Sequence, residues 1–316
     1  MIELGAGASL VRLVGGLFWF LLIATFVAAW LIPKTVQGRL LAFACIIALF
    51  LAFPGRWAWN DYQARRAYVA RLTKATEIFN ARCKTAGEKI YRTAENVEGV
   101  FLLKVRPERP YPYGEQFAMD DPYGRDLEGE GYIETFLRGS YQAGVKGPAP
   151  PGAPSRLGFL YVEAIDETDG RRYRYTGSVK AVRRKDTTAE NVRRELERNP
   201  AYDINIYAYV LDRVPAPSAP PRYGVTYDDI STRAEREYWI AGSSLRIIDL
   251  QTKEVIAERI GYMMDPGQGS TAGSRRPWLF AADNACPSFG ERHGAGRQPG
   301  QAQAFTEKVL KPKLEK

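Results

Sequence analysis

Five carboxylates crowd one glycine-bearing stretch of this 316-residue chain: Asp120, Asp121, Asp126, Glu128 and Glu130, within residues 111–131. Acids this dense on an adaptable loop could act as proton donors and acceptors, hold a cation such as calcium, or face a partner. Their spacing is not that of an EF-hand, where oxygens alternate around an internal glycine. A second stretch interleaves charge with aromatic rings: Arg171, Arg172, Tyr173, Arg174 and Tyr175, followed by Arg183, Arg184 and Lys185. Such a strand could take an anionic headgroup or nucleic acid. An ordinary antiparallel strand with tyrosines inward and arginines in water has the same pattern.

The thiols form a third group. Cys45 lies in an apolar run, which leaves Cys83 and Cys286 as the thiols outside it. They lack CxxC spacing, so neither a thioredoxin-type pair nor a zinc ribbon is written here. A bond between them would close a loop of roughly two hundred residues, worth about 5 kcal/mol on a chain-entropy model. Such a bond persists in an oxidising compartment. The alternative is two buried thiols packed as small core residues.

Several chemistries lack material. The single histidine, His293, sits in a glycine-rich segment, so histidine triads and His-rich zinc sites are not expected. Gly294, Gly296 and Gly300 have neither a preceding strand nor a following Lys-Ser/Thr, which excludes a phosphate-binding loop. Asp228 and Asp229 read as turn chemistry before a helix cap at Ser231 or Thr232. No cofactor is implied.

These groups must be positioned by what surrounds them, and the N-terminus sets the frame. Residues 13–32 are an apolar run with no charge, long enough to span a bilayer as a helix. A second run, 40–53, is flanked by Arg39, Trp57 and Trp59, suited to the interface. The reading is a transmembrane hairpin over residues 1–60. Val27-Ala28-Ala29 resembles a signal-peptide cleavage site, but the run continues past it and a second follows at once. Counting Arg56, Arg65, Arg66, Arg71 and Lys74 after the second run keeps the large domain in the cytoplasm under the positive-inside rule. The cysteines and the small charge of the N-terminal tail favour the periplasm.

Beyond the hairpin, Tyr68, Leu72, Ala75, Phe79, Cys83, Ala86 and Ile90 recur at spacings of three and four, predicting an amphipathic helix over 61–95. The period then changes. Strands are expected at 99–105, 157–165, 171–182, 203–214, 223–228, 238–250 and 254–263, and helices at 132–138, 188–199 and 278–284. Most strands are linked as hairpins, so the fold class is α+β: a two-helix transmembrane hairpin, then a mainly antiparallel sheet domain (96–289) with a few packing helices. Residues 290–316 read as a flexible basic tail.

The net charge of +8 suits anionic lipid, an acidic protein or nucleic acid. Architecture and the shortage of catalytic signatures point to a non-enzymatic protein on the bacterial inner membrane whose domain binds another protein, for example an immunity protein against a secreted toxin. The expected partners are the lipid bilayer and a protein; a periplasmic domain disfavours nucleic acid. Two alternatives are a carboxylate-dependent enzyme built on residues 120–130, and a cytoplasmic-facing binder of nucleic acid or anionic lipid.

Overall fold

The computed structural model describes residues 5–108, 113–142, 158–289 and 298–313, and the chain divides into two compact units, 1–71 and 72–316. In the first unit, α1 (Gly5–Leu31) and α2 (Val36–Phe50) are separated by residues 32–35. Thr35 caps α2 by accepting from the Gly38 backbone N–H at 3.1 Å. Phe43 of α2 lies 5.8 Å from Phe26 and 6.3 Å from Trp30 of α1, and the Arg39 guanidinium covers the Trp30 ring. A π-helical turn (Leu51–Gly55) absorbs Pro54 without ending the helix, and α3 (Arg56–Cys83) continues from it. The continuous helix Val36–Cys83 is long and apolar enough to cross a membrane. Leu17, Trp19, Phe20 and Ile23 of α1 and Leu40, Leu41, Ile47 and Leu49 of α2 are exposed.

The second unit is built on one mixed sheet. Its strands are β1 (Gly87–Ile90), β3 (Gly99–Leu102), β4 (Tyr161–Ile165), β5 (Arg172–Arg184), β6 (Asn205–Pro215), β7 (Tyr223–Asp229), β8 (Ile240–Asp249), β9 (Glu254–Met264) and β10 (Ala285–Cys286). The order is β1-β9-β8-β7-β3-β4-β5-β6, with β10 also pairing to β9. β3 runs parallel to both β4 and β7, and every other pairing in this sheet is antiparallel. A parallel neighbour needs a crossover, and α4 (Gly129–Gln142) lies between β3 and β4 in the chain. The remaining elements are β2 (Ala94–Val97), α5 (Glu190–Arg198), α6 (Arg233–Glu237), α7 (Pro277–Ala281), α8 (Gln301–Val309) and β11 (Leu310–Pro312). β11 pairs in parallel with β2 as a small second sheet.

Alternation along the strands separates two packing surfaces. Val100, Leu102, Val162, Val225, Tyr227 and Leu245 pack with Tyr132, Phe136 and Leu137 of α4 and with Phe305 and Val309 of α8. Beside this core, Trp239 and Trp278 meet at 5.0 Å, with Met119, Tyr123 and Met263 around them. Ile240, Tyr262 and Met264 instead receive Ala75 and Phe79, the part of the amphipathic stripe that does bury.

Two expectations are corrected. The helix expected over 61–95 ends at Cys83, and Ala86 and Ile90, which continued its spacing, fall in a turn and in β1. The helix gives way to a turn at residues 84–86, and β1 opens at Gly87, whose φ of 143° belongs to glycine rather than to a helix. The tail expected over 290–316 is not a tail between 298 and 313. There α8 and β11 carry Phe305, Val309 and Leu310, all buried, into the main core. Their apolar spacing outweighs the terminal lysines that suggested a solvated end. His293, Gly294 and Gly296 lie outside the described residues.

Candidate functional site

The acidic stretch does not form one site. Asp121, fully buried, accepts from Arg106 Nη2 at 2.8 Å, from Ser243 Oγ at 3.0 Å and from the Gly124 backbone N–H at 2.9 Å. Arg106 in turn stacks 3.8 Å from the centre of the Tyr227 ring. Burial works against the Arg106 charge, but the field of the facing Asp121, those of Tyr132 and Tyr227, and the Asp121 hydrogen bond together outweigh it and push the guanidinium pKa up. Burial also pushes the Tyr227 hydroxyl up to about 12, outside the range of a proton shuttle at neutral pH. Asp126 is buried too. It accepts from the backbone N–H groups of Gly300 and Ala302 (3.1 Å), so it caps α8, and from Leu127 (2.8 Å). Desolvation pushes its carboxyl above the usual carboxylate range despite these donors. Asp120 and Glu130 are exposed and Glu128 half-buried, with Glu130 in the first turn of α4. Among the described residues, no three His, Cys, Asp or Glu side chains are grouped to hold a metal ion.

The basic stretch is also divided. Arg172 and Arg174 both reach the buried carboxylate of Glu163, Arg172 at 3.1 Å and Arg174 at 2.8 Å. Their guanidinium groups lie over the rings of Phe101 and Tyr161. These two arginines therefore hold β5 to β4 rather than await an anion. Arg171 is exposed in the preceding turn. Arg183 and Arg184 are exposed at the far end of β5, and Lys185 donates to the Tyr202 hydroxyl and the Asp203 carbonyl at 2.9 Å each. Asp228 pairs with Lys104 and Arg246, and Asp229 with Arg236 while closing a turn onto Ser231.

A different region stands open. Of β5, only Arg172 to Tyr175 pair with β4, whereas β5 and β6 stay paired from Tyr173↔Pro215 out to Arg184↔Asn205. The two strands thus run on as a ribbon past the rest of the sheet. Residues 178–184 are exposed on both faces, including Val179 and Val182, and Tyr207 is exposed opposite them. β6 is the last strand in the sheet order, so its outer edge has no partner strand among the described residues. At the root of the ribbon lies a cleft of about 340 Å³. Ile133, Ala164 and Tyr175 line it together with four acids, Glu108, Glu130, Asp166 and Glu167, and two arginines, Arg106 and Arg213. Asp166 bonds Arg213 of β6, and hydrogen bonds from Thr168, first its amide and then its hydroxyl, hold its carboxyl below the usual range.

Cys83, the last residue of α3, is bonded to Cys286 of β10. Cys45 is free and exposed on α2. Arg106, Ser243, Glu163 and Arg213 escaped sequence reasoning because each finds its partner on a different strand or loop, with no local spacing to mark it. No protein-family model, curated protein or solved structure matches the chain.

Proposed function

We propose that this chain is a bacterial inner-membrane protein, anchored by a hairpin of two spanning helices, whose domain faces the periplasm and binds another protein. An immunity protein that neutralises a secreted toxin at the membrane is the concrete form of this reading. The observation that carries it is the β5–β6 ribbon, with an open strand edge, exposed Val179, Val182 and Tyr207, and an acid-lined cleft at its root. An open edge recognises another chain through backbone hydrogen bonds, and exposed apolar side chains add affinity where they become buried. The cleft would receive a basic side chain of that partner.

The anchor and its orientation have separate support. The exposed apolar side chains of α1 and α2 have a natural environment in lipid, and the four residues between the helices suit a hairpin turn. The Cys83–Cys286 bond favours an oxidising compartment. The carboxylate-enzyme reading draws less support, since Asp121 and Asp126 are occupied with Arg106 and with α8. The nucleic-acid or lipid reading weakens for the same reason, with Arg172 and Arg174 committed to Glu163.

The test is a deletion of the gene followed by periplasmic expression of each toxin encoded beside it. Sensitisation to one of them, reversed by the full chain, is the expected result; unchanged resistance to all of them refutes the immunity reading.

A further inference from the structure

Among the described residues of the sheet domain, three arginines are buried: Arg106, Arg236 and Arg259. Arg106 has Asp121 and Arg236 has Asp229. Arg259 of β9 is only 8% exposed, yet among the described residues no carboxylate lies within ion-pair distance of it. It donates to two neutral oxygens, Gln301 Oε1 at 2.9 Å and the Tyr123 hydroxyl at 3.2 Å. Its Nε has no hydrogen-bond partner. A buried cation with neutral partners is disfavoured unless an anion compensates it.

Arg259 lines a pocket of about 340 Å³ together with Glu88, Phe289, Gln301 and Lys308. That volume suits a small ligand. Glu88, opposite Arg259 in the β1–β9 register, is held by Lys308 Nζ at 2.8 and 3.0 Å, so it is directed to the lysine. The start of α8 is not the recognising group, because Asp126 already takes the Gly300 and Ala302 amides. Arg259 is the group left to recognise a ligand, and Lys308 offsets the Glu88 charge beside it.

We infer that this pocket binds a small oxyanion, of the phosphate or carboxylate class, through the Arg259 guanidinium, with Lys308 holding the Glu88 carboxylate neutralised beside it. The fork of an arginine matches both anions in two-point hydrogen bonding. The site is separate from the β5–β6 ribbon and stands whether or not that ribbon binds a protein.

The experiment is a thermal-unfolding titration of the full chain in detergent with inorganic phosphate and, in a second arm, with acetate, both at constant ionic strength. The melting temperature is expected to rise saturably with at least one of them, and the responding arm tells phosphate from carboxylate. Arg259→Gln is expected to weaken half-saturation by about tenfold or more, the loss of one charge-assisted contact. Lys308→Gln, at a half-exposed position, serves as the second variant should the first fail to fold, with a smaller weakening. No saturable rise with either anion in the wild-type chain overturns the inference. An unaltered response in Arg259→Gln, or in Lys308→Gln if that variant alone folds, overturns it as well.

Discussion

Cys83 at the end of α3 and Cys286 in β10 are bonded across 203 residues of sequence, with their Cα atoms 5.6 Å apart. The bond closes most of the sheet domain into a single loop and ties the last turn of α3 to the strand beside β9. A cross-link of that span acts mainly on the unfolded chain, whose freedom it restricts. Replacing both cysteines by serine is expected to lower unfolding stability by about 2–5 kcal/mol. Denaturant titration of the full chain with and without the substitutions measures it. Thiol labelling should mark Cys83 and Cys286 only after reduction, and labelling without reduction would remove the case for an oxidising compartment.

The C-terminal segment is part of the core. Truncating Phe305 to alanine should cost about 3–5 kcal/mol, the range for a large buried aromatic. Asp126→Ala should cost about 1–3 kcal/mol, since it strips acceptors from the buried start of α8. Were residues 298–313 a solvated tail, both changes would leave the unfolding midpoint where it is.

Glu235 supplies a pH dependence. Burial raises its pKa, but donation from the Thr232 amide and hydroxyl and from Arg82 outweighs this and holds the carboxyl below its ordinary 4.5. A carboxylate whose folded pKa is depressed contributes its full stabilisation above the unfolded value and loses it as pH falls through the folded one. The domain should therefore lose stability below about pH 4.5, and Glu235→Gln should lose less over that window. At neutral pH the same change should cost about 1 kcal/mol, through the broken capping box and ion pair. Melting curves of the two chains across pH 3–7 compare them directly.

At the root of the ribbon, a Cβ on Gly177 would stand 2.5 Å from the Tyr209 ring. That ring lies across the strand pair and under the Arg138 guanidinium. Gly177→Val should displace it and destabilise the domain by about 1–3 kcal/mol, read as a lower unfolding midpoint.

The parts of the fold that could be read from the chain are those in which local chemistry and tertiary packing agree. The β8–β9 hairpin shows both in its alternation and in the turn at Gln251-Thr252-Lys253, and Thr232 announces its capping box with Glu235 three residues on. Where packing decides against local pattern, reading failed. The stripe through Ala86 and Ile90 continued by coincidence past the true helix end: Ala86 falls in the turn before β1, and Ile90 in β1 is exposed. The acids at 120–130 looked solvated by composition, yet Asp121 and Asp126 are buried by Arg106 and by residues 300–302, partners no window around them contains. α8 did carry a signal, with Ala302, Phe305 and Val309 on one face, masked by the lysines that follow.

The claim that the ribbon binds a protein is tested most directly by Val179→Asp with Val182→Asp in the full chain. Both residues are exposed, so the paired change should leave the melting temperature and the Cys83–Cys286 bond intact. Its readout is survival of cells challenged with the toxin that the wild-type chain neutralises. The wild type should protect and the doubly substituted chain should not; full protection by the substituted chain would contradict protein binding by the ribbon.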